Sequence, residues 1–380
     1  MSILDQVRKN QFQEKLAGFN PVETLNTLFA RLSEKEKEVV KRRFALGYDE
    51  KHTLEEIGQL YSITRERVRQ IENLSVKKLK ELRELRDQIE EAEKVVANLL
   101  EQYGGVMEED FFLENILSYL EAQEDSANTV LFLAEHIFSD NVSKVKQNKE
   151  FNNLWQTGSA DIEMVKAVIN EIVKMIEEKG EPLKLEDLLT HFKNSEFYRN
   201  NKDKFLSAAP FLEATEEDID RILESYLRAS RKIKQDLFNN WGLISWGIVQ
   251  PKKINDKIYV TLKKANKPLH FTEIASFINE NRFDEKIAYA PTVHNELILD
   301  DKYVLVGRGI YALKEWGYKP GTVAEVVGEI LKENGPLAKN EIMEKVLEKR
   351  NVKNSTVYLS LMNNEKIKRT EDGKYTLVEQ

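Results

Sequence analysis

The ten residues TRERVRQIEN, Thr64 to Asn73, carry side chains able to address another molecule. On a helix advancing about 100° per residue, Arg65, Glu66, Arg69, Gln70 and Asn73 share one face, with Val68 and Ile71 opposite. Two guanidiniums, a carboxylate and an amide suit the edges of base pairs. Arginine pairs with guanine O6 and N7, glutamate accepts from cytosine N4, and glutamine meets adenine. A good bidentate pair discriminates by roughly 1–3 kcal/mol. Glu72 stands one helical turn beyond Arg69 and is expected to steady it. Lys77, Lys78 and Lys80 follow. They are placed to meet phosphates, adding salt-dependent affinity without sequence information. The plainer reading of such a stretch is a solvated helix whose arginines and glutamates pair among themselves.

The residues upstream favour the first reading. Thr53 with Glu56 forms a capping box that starts a short helix. Gly58 falls where the next helix must cross, so a Cβ there would crowd it. Ile57, Tyr61 and Ile63 supply inner contacts, Ser62 lies in the turn, and Thr64 caps the helix that follows. This is a helix-turn-helix, in which the N-terminal residues of the second helix enter the major groove. Ahead of it, LSEKEKEVVKRRFALG opens with a second capping box, Ser33 and Glu36. Val39, Val40 and Phe44 line one face, and Gly47 is expected to end the helix. Residues 1–30 read as a helical lead-in, and the helix-turn-helix domain as 31–85.

From Leu82 the apolar residues Leu85, Ile89, Ala92, Val96 and Leu99 follow a heptad seam. Two readings stand: a homodimer through Leu82–Leu99, or a connecting helix packed on the next domain. A longer pattern then recurs, with an apolar helix, a Gly, Pro or Asn break, a second helix, a third, and a short aromatic or β-branched run. The runs are FNNLWQ, GLISWGIV, YVLVGRGIYALK and KIKRTEDGKYTLVE. The last two read as hairpins, turning at Gly307–Gly309 and at Asp372-Gly373, the latter a two-residue turn. Three helices and a hairpin make a winged helix. The boundaries expected are 86–160 (linker helix and winged-helix-like unit), 161–253, 254–320 and 321–380. The fold class is mainly α: a helix-turn-helix domain plus tandem winged-helix units with small β-hairpin wings.

Other features bound the function. The 380 residues hold no cysteine, and the histidines 52, 136, 191, 270 and 294 are scattered, so neither a disulfide nor a metal site is expected. No cofactor, no nucleophile–histidine grouping and no enzyme are expected. Neither a signal peptide nor a membrane span is legible, which suggests a cytoplasmic, nucleoid-associated protein. The net charge of −8 argues against coating nucleic acid non-specifically but permits one local reading face. Arg308, Lys368 and Arg369 are possible wing contacts, although residues 323–380 balance ten basic against ten acidic side chains. The tryptophans 155, 241, 246 and 316 fall at wing positions and are expected to fill cores.

The segment LSEKEKEVVKRRFALGYDEKHTLEEIGQLYSITRERVRQIENLSVKKLKEL resembles region four of primary bacterial sigma factors, with TLEEIG and TRERVRQIE its specific motifs. The resemblance covers about residues 25–85. It implies binding to double-stranded promoter DNA at the −35 element and docking on the flap of core RNA polymerase. It further implies that Arg65, Glu66, Arg69 and Gln70 read bases while Thr53 and Thr64 lie near phosphates. Roughly 25 residues precede it, with Phe12, Phe19 and Phe29 as their aromatics, so autonomous promoter melting is not expected. A second stretch, KPLHFTEIASFINE with GRGIYALKEW, resembles the HARE-type winged helix over about residues 255–316. That family includes the delta subunit of RNA polymerase, and the likeness implies polymerase or DNA contact. Three functions follow as expectations: a promoter-binding, polymerase-associated factor; a free-standing regulator that never touches polymerase; or a delta-like polymerase-binding protein.

Overall fold

The computed structural model describes residue 16 and residues 18–120, 125–138, 141–208, 215–318, 321–350, 352, 354–362, 364 and 366–378. Most of the helical lead-in, Phe12 included, lies outside the described residues. Its described end is helix α1 (Pro21–Phe29), which Asn20 caps by accepting from Glu23 N. The chain divides into two compact units, Met1–Lys234 and Gln235–Gln380. It is mainly helical, with small antiparallel sheets.

In the first unit α2 (Glu34–Phe44), α3 (Leu54–Leu60) and α4 (Arg65–Lys80) form the helix-turn-helix. Both capping boxes are present: Glu36 N donates to Ser33 Oγ, and Glu56 N to Thr53 Oγ1 at 3.2 Å. Helix α2 ends earlier than Gly47 would require. Ala45 takes the left-handed conformation (φ 54°) and Leu46 N returns to Lys41 O, while Gly47 (φ +83°) turns the chain afterwards.

Helix α5 (Arg86–Gln102) is separated from α4 by a 3-10 turn, Arg83–Leu85. The heptad seam therefore does not run along one continuous rod. Ala92, Val96 and Leu99 are buried, and Leu82, Leu85 and Ile89 pack against the same cluster, with Leu25, Leu28 and Phe29 of α1 and Phe112 beyond. The apolar stripe of this connecting helix packs against the chain's own core.

Strand β1 (Val106–Glu108), α6 (Glu109–Tyr119), α7 (Ser126–Phe132, continued by a π turn Leu133–Ile137), β2 (Val142–Val145) and β3 (Leu154–Thr157) follow, with sheet order β1-β3-β2. Trp155 is fully buried beside Phe112. This is a winged-helix topology, and it shares its core with the helix-turn-helix. Val40, Leu46 and Leu79 belong to the same cluster as Phe132 and Trp155. The first unit closes with α8 (Ile162–Lys179), α9 (Leu185–Lys193), α10 (Glu196–Ala208) and α11 (Glu216–Ala229), one helix more than the repeat led us to expect.

In the second unit α12 (Ile254–Ala265), β4 (Leu269–His270), α13 (Phe271–Glu280), α14 (Ala290–Leu299), β5 (Tyr303–Gly307) and β6 (Ile310–Leu313) repeat that topology, with β6 central. The hairpin turns at Arg308-Gly309. Gly309 has φ +69°, and a Cβ there would come within 2.5 Å of His270 Nε2. Last come α15 (Val323–Asn334), α16 (Lys339–Lys349), α17 (Asn354–Met362), β7 (Ile367–Arg369) and β8 (Tyr375–Leu377). The final turn is longer than the two residues expected. Thr370 pairs with Lys374, and Gly373 (φ +80°) donates to Thr370 O, leaving Glu371, Asp372 and Gly373 in the loop. A type I turn followed by a left-handed glycine is the usual three-residue hairpin connection.

Candidate nucleic-acid interface

Two local interactions build α4, the candidate reading helix. Thr64 Oγ1 accepts from Arg67 N at 3.2 Å, capping α4. Val68, Ile71, Ser75 and Leu79 are buried along one stripe, so the other side faces solvent. The helix-turn-helix core is small: Val39, Ile57, Val68 and Ile71, with Leu54, Tyr61 and Ile63 around them. Gly58 tightens it. A Cβ there would stand 2.7 Å from the Ile63 carbonyl oxygen and 3.5 Å from Arg65 N, so the turn itself is the nearer obstacle. Ser62 takes φ 52° to make that turn.

Arg65, Glu66, Arg69, Gln70 and Asn73 are all exposed on the solvent face of α4. Four of the side chains on this helix are already organised into pairs. Arg69 donates from Nε to Glu66 Oε2 at 2.9 Å and from Nη2 to Glu66 Oε1 at 2.7 Å. This bond holds the Glu66 carboxyl below the usual carboxylate range and raises the Arg69 guanidinium. Arg67, which the sequence reading passed over, donates from Nη1 to Gln70 Oε1 at 3.0 Å. Its one-turn spacing from Gln70 was the available signal.

The expected partner of Arg69 was Glu72, and the structure corrects this. Glu72 leans toward α2 with its side chain 17% exposed and meets Arg43 Nε at 3.5 Å. Its place on the wheel borders the buried stripe, so the neighbouring helix claims it. Lys78 leans the same way, 3.3 Å from Glu36, while Lys77 stays near the reading face, 3.9 Å from Glu81. Thr53 and Thr64 sit at the starts of α3 and α4, with their hydroxyls engaged in capping.

The corresponding third helices elsewhere differ. Among their residues, α14 and α17 contain no lysine or arginine. They expose Ile298 (62%), Leu299 (78%), Leu359 and Met362 instead. On α11 the arginines are paired, Arg221 with Asp218 and Arg228 with Glu224. Arg308, Lys368 and Arg369 are exposed on wings. Trp155 and Trp241 are buried, and Trp316 packs partly against its wing. Among the described residues no cluster of three metal-ligating side chains occurs, and no helix is long and apolar enough to cross a membrane.

The capped, exposed α4 lies within a segment of known kinship. Residues 28–81 match the family Sigma-70, region 4. They form a sigma-70 region 4 domain. Over 75 residues the chain is 41% identical to the RNA polymerase sigma factor SigA1 of Synechococcus elongatus, and 40% to SigA of a Nostoc species. It is 44% identical over 57 residues to SigA4 of Synechococcus elongatus. These matches take in 20%, 20% and 15% of this chain and 16%, 17% and 18% of the relatives. The likeness is thus to one domain of proteins of which the chain spans less than a fifth.

Proposed function

We propose that the protein is a sequence-specific duplex-DNA-binding factor of transcription initiation, reading a promoter element of the −35 type through α4 in association with RNA polymerase. One observation carries this: Arg65, Glu66, Arg69 and Gln70 stand exposed together at the capped start of α4, in a region 4 domain. Thr53, Thr64, Lys77 and Lys78 would contact phosphates beside them. The sigma factors similar to this segment are RNA polymerase factors by name, which supports the association; a place on the nucleoid would follow from the proposed DNA binding.

The C-terminal units support a second role. Their third helices lack cations and expose apolar side chains, so we read α14 and α17 as protein-facing, in the manner of a delta-like polymerase contact. We read residues 254–320 as HARE-type on the motifs given above, with Arg308, Lys368 and Arg369 as auxiliary wing contacts.

The test uses the intact chain. Duplexes selected from a random pool should converge on one site, and Arg65→Ala with Arg69→Ala should abolish that convergence. Core polymerase should be retained by the intact chain and by this variant alike. Selection that never converges would sink the DNA-reading claim; failure to retain polymerase would leave a free-standing regulator.

A further inference from the structure

Within a chain of net charge −8, two short basic runs meet on the first unit. One is the loop joining β2 to β3, which carries Lys146 and Lys149. The other, Arg231 to Lys234, leaves α11 and carries Lys232 as well. More than eighty positions separate them in sequence, and bonds from the loop to the run and to the end of α11 clasp them together. Arg231 N donates to Glu150 O at 2.9 Å, and Arg231 Nη1 to Asn148 O at 2.8 Å. The Asn152 amide donates to Arg228 O and Ser230 O, each at 3.1 Å. Phe151, buried between the runs, bridges to Ser230.

The result is a five-cation patch of Lys146, Lys149, Arg231, Lys232 and Lys234. The carboxylate of Glu150, within the same loop, is taken by Lys166 at 3.0 Å, and Lys232 is held by Asn170 Oδ1 at 2.8 Å. Lys146, Lys149 and Lys234 are exposed.

The patch does not stand alone. Lys144, on strand β2 just before the loop, pairs with Glu109 at 2.6 Å and with Glu135 at 3.5 Å. Glu135 belongs to the π turn after α7, whose His136 ring lies 4.6 Å from Phe44 of α2. Lys51, Lys80 and Lys144 all lie within electrostatic reach of His136. Lys80 is the last residue of α4, on the same side as Arg69 and Asn73 by helical angle. The end of α4 and strand β2, which leads into the clasped loop, therefore both pack against the turn that carries His136. Because α2, α4 and the winged unit share one core, the loop is fixed relative to the exposed face of α4.

We infer that the loop carrying Lys146 and Lys149, clasped by the run Arg231–Lys234, is a second DNA-binding site of this protein, gripping the sugar-phosphate backbone of the duplex flanking the site that α4 reads. The ligand is a row of phosphates, met without regard to sequence. Clustered lysines on loops recognise phosphates as point charges and release counterions, so their contribution lies in salt dependence rather than in base preference. The inference rests on the reading of α4 given above and extends the DNA contact onto the winged unit.

The test compares two variants of the full chain on a 60-base-pair duplex selected by the intact protein and on an unrelated duplex of equal length. In the first, Lys146, Lys149 and Lys234 become Gln; all three are exposed, and an unchanged circular dichroism melt shows that the fold is retained. The slope of log affinity against log salt should fall by about 2 to 3, as expected for about 0.9 per lost phosphate contact. Affinity at low salt should drop on both duplexes by the same factor, with the preferred sequence unchanged and the footprint shortened on one flank. The second variant, Arg65→Ala with Arg69→Ala, should lose the preferred sequence and keep most of the salt slope.

An unchanged slope and footprint in the lysine variant overturns the inference, and loss of preference in the arginine variant would then still uphold the reading of α4. Retained preference in the arginine variant overturns that reading instead. A lysine variant that binds DNA normally but no longer retains core polymerase would make the patch a site for acidic protein, which also overturns the inference.

Discussion

Arg69 grips both carboxylate oxygens of Glu66, at 2.9 and 2.7 Å, on the exposed face of α4. The guanidinium that would meet a guanine is thus occupied before DNA arrives, and its partner is another candidate base reader. An exposed pair of this kind contributes little to stability. In the proposed reading its effect is on readiness: the two side chains would have to part, or turn together, for the helix to enter the groove.

Removing the carboxylate frees the guanidinium and deletes a negative charge facing the phosphates. Glu66→Ala should therefore tighten binding to unrelated duplex and relax preference at one base pair by about 1–3 kcal/mol. Competition binding with single-base variants of the selected site measures both. Equal losses on all sequences would show that Glu66 does not face a base.

Gly58→Ala places a methyl group 2.7 Å from the Ile63 carbonyl oxygen, which belongs to the turn backbone and cannot swing aside. A loss of about 1–3 kcal/mol is expected, as for overpacked cores. It should be visible in the urea midpoint and in weakened DNA binding. The exposed neighbour Gln59→Ala should leave both nearly unchanged.

His136 gives the first unit a pH dependence. Burial holds its imidazole below the usual value, with Lys80, Lys144 and Lys51 adding to that and Glu135 opposing it. A depressed folded value means the unfolded chain binds the proton more readily. The stability this provides is complete above the unfolded value of about 6.5 and declines as pH falls through the folded one. His136→Phe keeps an aromatic ring beside Phe44 and should flatten urea midpoints measured across that window. An unchanged slope would assign the effect to other groups.

Cutting the chain after Leu85 should not release a stable helix-turn-helix. Val40, Leu46 and Leu79 would lose Phe132, Leu99 and the rest of the shared core. The fragment is expected to aggregate or lose helicity by circular dichroism, and the intact chain to melt at a temperature independent of its concentration. A well-folded monomer of residues 1–85 would contradict the shared core.

Capping boxes and the opposed faces of α4 depend on residues three or four positions apart, and the cramped glycine on a turn five to seven positions on, and for that reason they were legible from Ser33 to Lys80. The repeated winged-helix pattern was legible for the same reason, since its helices and hairpins follow local periodicity. Which side chain answers which across elements was not. Spacing alone offered Arg69 two acids, and only the approach of α2, with Arg43, drew Glu72 away. Helix α2 stopped at Phe44, with Ala45 rather than a glycine in the left-handed position, where Phe44 and Leu46 pack into the shared core.

The sequence by itself determined the reading helix and its chemistry: Arg65, Glu66, Arg69 and Gln70 on one face, with an apolar stripe behind them. The tertiary structure alone decided that the heptad stripe turns inward, and that Lys149 and Arg231, far apart in the chain, come to lie side by side. Local rules act at fixed spacings and can be read off a sequence. Long-range neighbours arise only when many apolar faces find a joint arrangement that hides them all from water.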